Sequence, residues 1–381
     1  MKEIWQYADR ARTQLGTADA PVISYTGLWL LLALVAPAAE GNAITKALGL
    51  PPEEARETAE KLIAEAHPTV TAALGAWLAD WVEPTTPLPV TVDPLPDQET
   101  LDAWAAEHTH GLIQTMPVTI RPETMLLLAT ALVTTPKWAE PLLIEDGRLV
   151  LRKSLQAIVE TSVGPVAVAR PNSHDCVDVF SVIAAPEVPA EDVWVAVAEV
   201  VEQNAAGEVT HLTHPEDLTD GHAWTVKRER REYVAYDAPE PNSVVFTTRL
   251  PAWNADASHE LDAAPGVASV ADGIAALLPA QDGGIEISCA QNATAAYNQN
   301  GFKAAAVTAM AWMAGSAMPE YVERKIRHVQ VSFDRPHAVI AIARGGAWEG
   351  IPLFEAWVTP EMFTTAVPDW ALGMPIAVPT T

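Results

Sequence analysis

The chain is poor in cations. Its 381 residues carry 23 Lys and Arg against 49 Asp and Glu, for a formal net charge of −26. Such a surface repels nucleic acid, whose capture needs a basic face that releases counterions. It disfavours an anionic bilayer for the same reason. Cysteine is nearly missing. Cys176 and Cys289 are the two in the chain, too far apart for a thiolate metal signature or a disulfide framework. They read as two thiols in a reducing compartment. Long apolar runs are also missing, since the most apolar stretch, 28–39, is too short to span a bilayer and is broken by Pro37. The first ten residues hold no apolar core of a signal peptide. A cytoplasmic site is therefore expected, with export by another route left open.

Catalytic signatures are absent as well. There is no Gly-Xaa-Ser-Xaa-Gly elbow, no phosphate-cradling glycine loop and no dinucleotide fingerprint. His108 and His110 have no acidic or thiolate partner at ligand spacing, and His211, His214 and His222 are scattered among acids. Cys176, beside His174 and Asp175, reads as part of a short polar loop. No metal, no cofactor and no enzymatic activity are expected.

What is present is a globular composition, 49% hydrophobic and 19% charged. Residues 28–48 read as a long buried helix followed by a second, interrupted at Gly41-Asn42 and ended by Gly49. Residues 52–66 read as a charged amphipathic helix and 70–82 as an apolar helix bearing Trp77 and Trp81. A proline-rich link, 83–96, leads to another helix over 97–111. The apolar run 125–133 predicts a central strand buried on both faces. Further strands are expected over 193–201, 243–250, 285–288 and 338–343, with a half-exposed hairpin over 221–236. Helices first and strands later, without βαβ alternation, indicate a single α+β domain over 1–381.

One segment has two possible homes. Gly301, Phe302, Lys303, Ala304, Ala305, Ala306, Val307 and Thr308 are mostly small or β-prone, with one charge and no proline. Alanine favours helix, yet side chains this small also suit a strand slid between two others. Treated as a strand, the segment puts Phe302, Ala304, Ala306, Thr308, Met310, Trp312 and Ala314 on one face, all uncharged. Burying that face strands no charge.

Six further stretches, in order, resemble motifs of the serpins. They are Ser24-Tyr25-Thr26-Gly27-Leu28, then Trp104 to Ile113 around Thr109 and Gly111, then Lys137-Trp138 with Pro141. After them come Leu250-Pro251-Ala252-Trp253, Phe333-Asp334-Arg335-Pro336, and Pro352-Leu353-Phe354 with Val358-Thr359-Pro360. The resemblance covers 24–360, leaves 361–381 as a C-terminal extension, and points to a bacterial member of that family. It implies three β-sheets, about nine helices and an exposed reactive-centre loop within 301–332.

The resemblance further implies a monomeric suicide inhibitor of serine proteases. In that family the protease cleaves the loop and is acylated, and the loop then inserts into the central sheet and traps it. Residues 301–308 would be the hinge. Counted from Gly301, the scissile bond is Gly315-Ser316, whose small apolar surroundings suit a subtilisin-, elastase- or chymotrypsin-like protease. Counted back from Phe333, it is Lys325-Ile326, suiting a trypsin-like one, although Arg324, Lys325 and Arg327 also read as a solvated basic edge. Gly27, Thr130, Gln291 and Trp138 would lie where the sheet opens. Gly27, Thr130 and Gln291 replace the family's usual Ser, Asn and His, Gln299 replaces an acid, and bulky Phe302 replaces a small residue that enters first. These departures favour the alternative, a non-inhibitory binding or scaffold protein on the same fold.

Overall fold

The computed structural model describes residues 2–65, 67–152, 154–207, 218–235, 238–279, 289–302 and 320–365. Its first part is helical: α1 (Lys2–Leu15), α2 (Tyr25–Val35), α3 (Ala43–Leu48) and α4 (Pro52–Ala64). Ser24 caps α2, its Oγ accepting from the Gly27 amide at 3.1 Å. Gly49 ends α3 in the left-handed region at φ 80°, where a side chain would be strained. α2 is apolar all round and lies almost wholly buried, so it forms the spine of the core.

The middle of the chain alternates. β1 (Val70–Leu78) and β2 (Asp93–Pro94) precede α5 (Gln98–His108), then β3 (Leu126–Thr134), β4 (Leu143–Glu145), β5 (Arg148–Leu151), β6 (Leu155–Thr161), β7 (Gly164–Arg170) and β8 (Val177–Ile183) follow. After α6 (Ala190–Ala206) come β9 (Trp224–Val234), β10 (Val244–Leu250), β11 (Ala252–Glu260) and α7 (Val267–Leu277). The last elements are β12 (Ala290–Tyr297), β13 (Tyr321–Ser332), β14 (His337–Ala343), β15 (Pro352–Val358) and β16 (Phe363–Thr364).

Several sequence expectations fail for identifiable reasons. Residues 70–82 are not a helix. β1 pairs antiparallel with β3 along nine positions, and its alanines and Gly75 follow that tertiary register rather than helix propensity. Residues 193–201 are not a strand. In α6 the buried positions Val193, Trp194, Ala196, Val197 and Val200 recur at helical spacing, and their valines misled a propensity reading. The region 221–236 is no local hairpin, because β9 pairs with β13, far along the chain. Among the described residues there are seven α-helices rather than about nine. The expected strand 285–288 lies outside them.

The described strands form four hydrogen-bonded sheets where three were expected. Their orders are β2-β1-β3, β4-β5-β10-β13-β9, β12-β11-β16 and β15-β14-β8-β7-β6. β3, expected in the middle of a sheet, has one strand neighbour among the described residues. The same holds at the inner end of β12-β11-β16, where β12 pairs with β11. The C-terminal extension contributes β16, which pairs with β11 at Ala252 and Trp253. Its later residues, including Trp370 and Met374, lie outside the described set.

The first helix and β15 meet in the core. Arg12 of α1 donates from Nη2 to both carboxylate oxygens of Glu355 on β15, at 3.0 and 2.9 Å, and from Nε at 3.2 Å. Both groups are buried, with Trp194 facing the guanidinium at 5.1 Å. A buried pair contributes little net stability when intact but costs about 3–5 kcal/mol when one member is removed.

His337 opens β14 fully buried, against Phe333 and near Phe363. Burial lowers its imidazole to about 4. The unfolded imidazole takes its proton near pH 6.5. The resulting stability is therefore fully present above 6.5 and is lost as pH falls toward 4. Replacement by Gln should flatten that slope, the difference from the parent reaching about 3 kcal/mol near pH 4. Urea unfolding at pH 4.5, 5.5 and 7.5 checks this.

Candidate functional site: the gap between two sheets

β3 and β12 border one cavity of about 1100 Å³. Its floor is α2 and α7, and the segment after α5 passes over it. That segment is tied across the opening, for the Asn292 side chain of β12 donates from Nδ2 to the Thr115 carbonyl at 3.1 Å. Apolar groups dominate the floor, including Leu28, Leu32, Val35, Val270 and Ile274. Each bordering strand turns toward the gap an edge with no strand partner among the described residues.

The N-terminus of α2 holds both strands. From β3, the Thr130 hydroxyl donates to the Gly27 carbonyl at 2.9 Å. From β12, Gln291 clamps the backbone of Ser24. Its Oε1 accepts from the Ser24 amide and its Nε2 donates to the Ser24 carbonyl, both at 2.9 Å. Thus Gly27, Thr130 and Gln291, apart in sequence, come together. The substituted polar groups are satisfied, which matters because a half-satisfied buried network costs more than an apolar one. Gly27 leaves room, since an added Cβ would sit 3.5 Å from Gln291 Nε2 and from Ser24 Oγ.

The top of the gap is closed. Trp138 lies buried there, its indole donating to the Asn298 carbonyl at 3.0 Å. The Trp138 amide donates to the Asn300 carbonyl at 2.9 Å, and Leu142 to the Gln299 carbonyl at 2.8 Å. Gly301 bridges Lys137 and Phe302 bridges Tyr297, both antiparallel. The Phe302 amide donates to the Pro136 carbonyl at 3.0 Å. Its ring is 3% exposed and meets Trp253 edge-on at 6.1 Å. Sequence reasoning took Phe302 as a bulky residue still to enter. Here it is already inside, filling an aromatic cluster completed by Trp138 and Tyr297 at 5.0 Å.

The remaining site residues separate into two groups. Lys303 to Thr308, Gly315 and Ser316 lie outside the described residues. The alternative bond, Lys325-Ile326, lies inside β13, where Lys325 opposes Arg230 and Ile326 opposes Glu229 of β9. The Lys325 carbonyl also accepts from the Asn242 amide on its other side at 2.7 Å, and Ile326 is buried. Residues 321–332 of the expected loop form the strand β13, and 303–319 lie outside the described residues. Among the other flagged groups, His108 stacks on Trp104 at 4.4 Å, and the Asp175 carboxylate accepts from the Lys137 amide at 2.6 Å. Sequence reasoning missed the role of Asn292 and of Thr115, for which polar residues in an alanine-rich strand and a loop gave no distinctive signal.

No protein-family model and no curated protein matches the sequence. Solved structures do. Human kallistatin is similar at a TM-score of 0.61 with 11% identity, covering 96% of each chain. Serpin48 of the insect Tenebrio molitor has 0.58 and 12%, covering 93% of this chain and 96% of its own. Human thyroxine-binding globulin, solved with thyroxine, has 0.58 and 12%, covering 93% and 97%. The fold is therefore serpin-like. No helix among the described residues is long and apolar enough to cross a membrane.

Two substitutions test the site. Phe302→Ala should cost about 3 kcal/mol by emptying a buried aromatic position. Gly27→Ala should be neutral or stabilise by about 0.5–1 kcal/mol, since its Cβ meets ordinary contacts within a helix. Thermal and urea unfolding of both variants read the two signs.

Proposed function

We propose that the protein is a suicide inhibitor of serine proteases that traps its target by inserting a cleaved loop into the gap between β3 and β12. The observation that carries this is the placement of Gly301 and Phe302. They bridge antiparallel to the β3 side at Lys137 and to β12 at Tyr297. In a strand inserted between the sheets they would be the first two residues.

The register extends simply. Each step along the chain beyond Phe302 steps one residue back along both neighbours. Thr308 would then fall opposite Gln291 and Thr130, whose side chains face α2. The face carrying Ala304, Ala306 and Thr308 would point inward, and it is uncharged. An inserted strand would satisfy amides and carbonyls on both bordering edges. Each such bond contributes about 0.5–1.5 kcal/mol net. About ten of them would reach the order of 10 kcal/mol, comparable with the whole stability of a domain. Insertion could therefore drive displacement of a bound protease with no catalytic group from the inhibitor.

Gly315-Ser316 is the favoured scissile bond. Its rival, Lys325-Ile326, is paired within β13, and a protease needs an extended segment free of a sheet. A subtilisin-, elastase- or chymotrypsin-like target is preferred. The second reading, a binding or scaffold protein, draws on the apolar cavity and on the likeness to thyroxine-binding globulin.

Incubation with subtilisin, chymotrypsin and trypsin, followed by a denaturing gel and mass measurement of the released peptide, separates the readings. A covalent complex with cleavage after Gly315, and a rise in melting temperature of the cleaved chain, is expected. Cleavage without complex and without that rise would leave the binding or scaffold reading.

A further inference from the structure

Cations are scarce in this chain, yet they gather in one place. β9 carries Lys227, Arg228, Arg230 and Arg231, and β13 carries Arg324, Lys325 and Arg327. These two strands thus hold seven of the 23 Lys and Arg residues on a chain of net charge −26. The register sets like charges against each other. Arg231 opposes Arg324, Arg230 opposes Lys325, and Arg228 opposes Arg327. Directly opposed like charges weaken a strand pair, so this arrangement works against the sheet that contains it. The acids present relieve it in part, for Glu323 meets Arg230 at 3.2 Å and Glu229 meets Arg231 at 2.9 Å. Lys227, Arg228 and Lys325 stay exposed. Burial and the positive field of Arg231 and Lys227 hold the neighbouring His328 imidazole below its usual value.

A charged edge strand can serve merely to block aggregation. That purpose would be met by β9 alone. It does not require a second row of cations on β13, one strand further in. Two facts describe what would fit. Among the described residues β9 ends its sheet; the Trp224 carbonyl and Val226 amide are taken by Gly221 and by the Asp220 carboxylate, and from Arg228 onward its outer edge has no strand partner. On one face, Arg228 and Arg230 stand two residues apart, about 6.8 Å along the strand. Alternate side chains of an added strand repeat at the same interval. A long polyanion such as nucleic acid would run off the patch onto the acidic remainder of the surface. A short peptide would not.

We propose that the outer edge of β9 docks an extended acidic peptide segment of a partner protein, added as a further strand with alternate carboxylates beside Arg228 and Arg230 and toward Lys325. Backbone pairing supplies the direction, and the cations select the sequence. This surface lies apart from the gap between β3 and β12 and does not depend on the inhibitory reading.

The test uses the full chain and a fluorescently labelled eight-residue peptide alternating Glu with Thr and Val, followed by polarisation at 50 and 200 mM salt. A second peptide of the same charge carries a central proline, which cannot join a ladder. Saturable binding of the first peptide at 50 mM is expected, with loss at 200 mM and at least tenfold weaker binding of the proline peptide. Arg228→Glu should weaken binding at least tenfold while leaving the melting temperature unchanged or higher, because it removes a like-charge pair. A structural role alone would move the two readouts together. Absence of binding at 50 mM, or equal binding of the proline peptide, would overturn the proposal. So would tighter binding of a single-stranded oligonucleotide, or self-association of Arg228→Glu with peptide binding intact.

Discussion

Backbone groups need partners, and two strand edges here face one space. β3 and β12 could have paired directly, yet both are fastened instead to the start of α2, by Thr130 to Gly27 and by Gln291 to Ser24. Those bonds set the width of the gap from below, while Trp138, Asn298 and Asn300 close it from above. The cavity, the division of one expected sheet into two and the place of Phe302 all follow from that spacing. The polar contacts are few and short in reach. The apolar floor beneath them is broad, so the opening is shaped by packing and indexed by hydrogen bonds.

Much of this was legible in the sequence, and the illegible part has a physical pattern. Gly27, Thr130, Gln291 and Trp138 stand out through the family resemblance; the structure brings the first three together at the start of α2, with Trp138 bonded to Asn298 and Asn300. Helices closed by Gly49 or opened by Asp97 were readable because caps are local. β1 and α6 were misread because both are rich in Ala and Val, whose propensities conflict. Burial against distant partners then decided each. β9 was taken for half of a hairpin because its partner lies beyond β12. Phe302 was judged by its size alone, and its pocket is built from Trp253 and Tyr297, which no spacing rule connects to it.

The basic strands illustrate how composition hides distribution. A net charge of −26 describes the average surface well. It conceals a region where cations oppose cations across a ladder. Such regions are visible in a sequence only after strand register is known, since Arg228 and Arg327 are neighbours through pairing alone. The acidic remainder sharpens the patch, because field lines from the surrounding carboxylates confine any attraction to it.

The ion pair between Arg12 and Glu355 joins the first helix to the last long strand, and Ile23 bridges backbone to backbone with the same Glu355. A chain emerging from the ribosome must wait for nearly its whole length before that contact exists. Until then α2 exposes the apolar surface that β15 later covers. Contacts of such sequence separation slow folding and prolong the exposure of partly built intermediates. Synthesis order thus gives β15 the role of a closing piece. Demand for chaperones should be greatest during translation of residues 25–351, and should end when β15 docks.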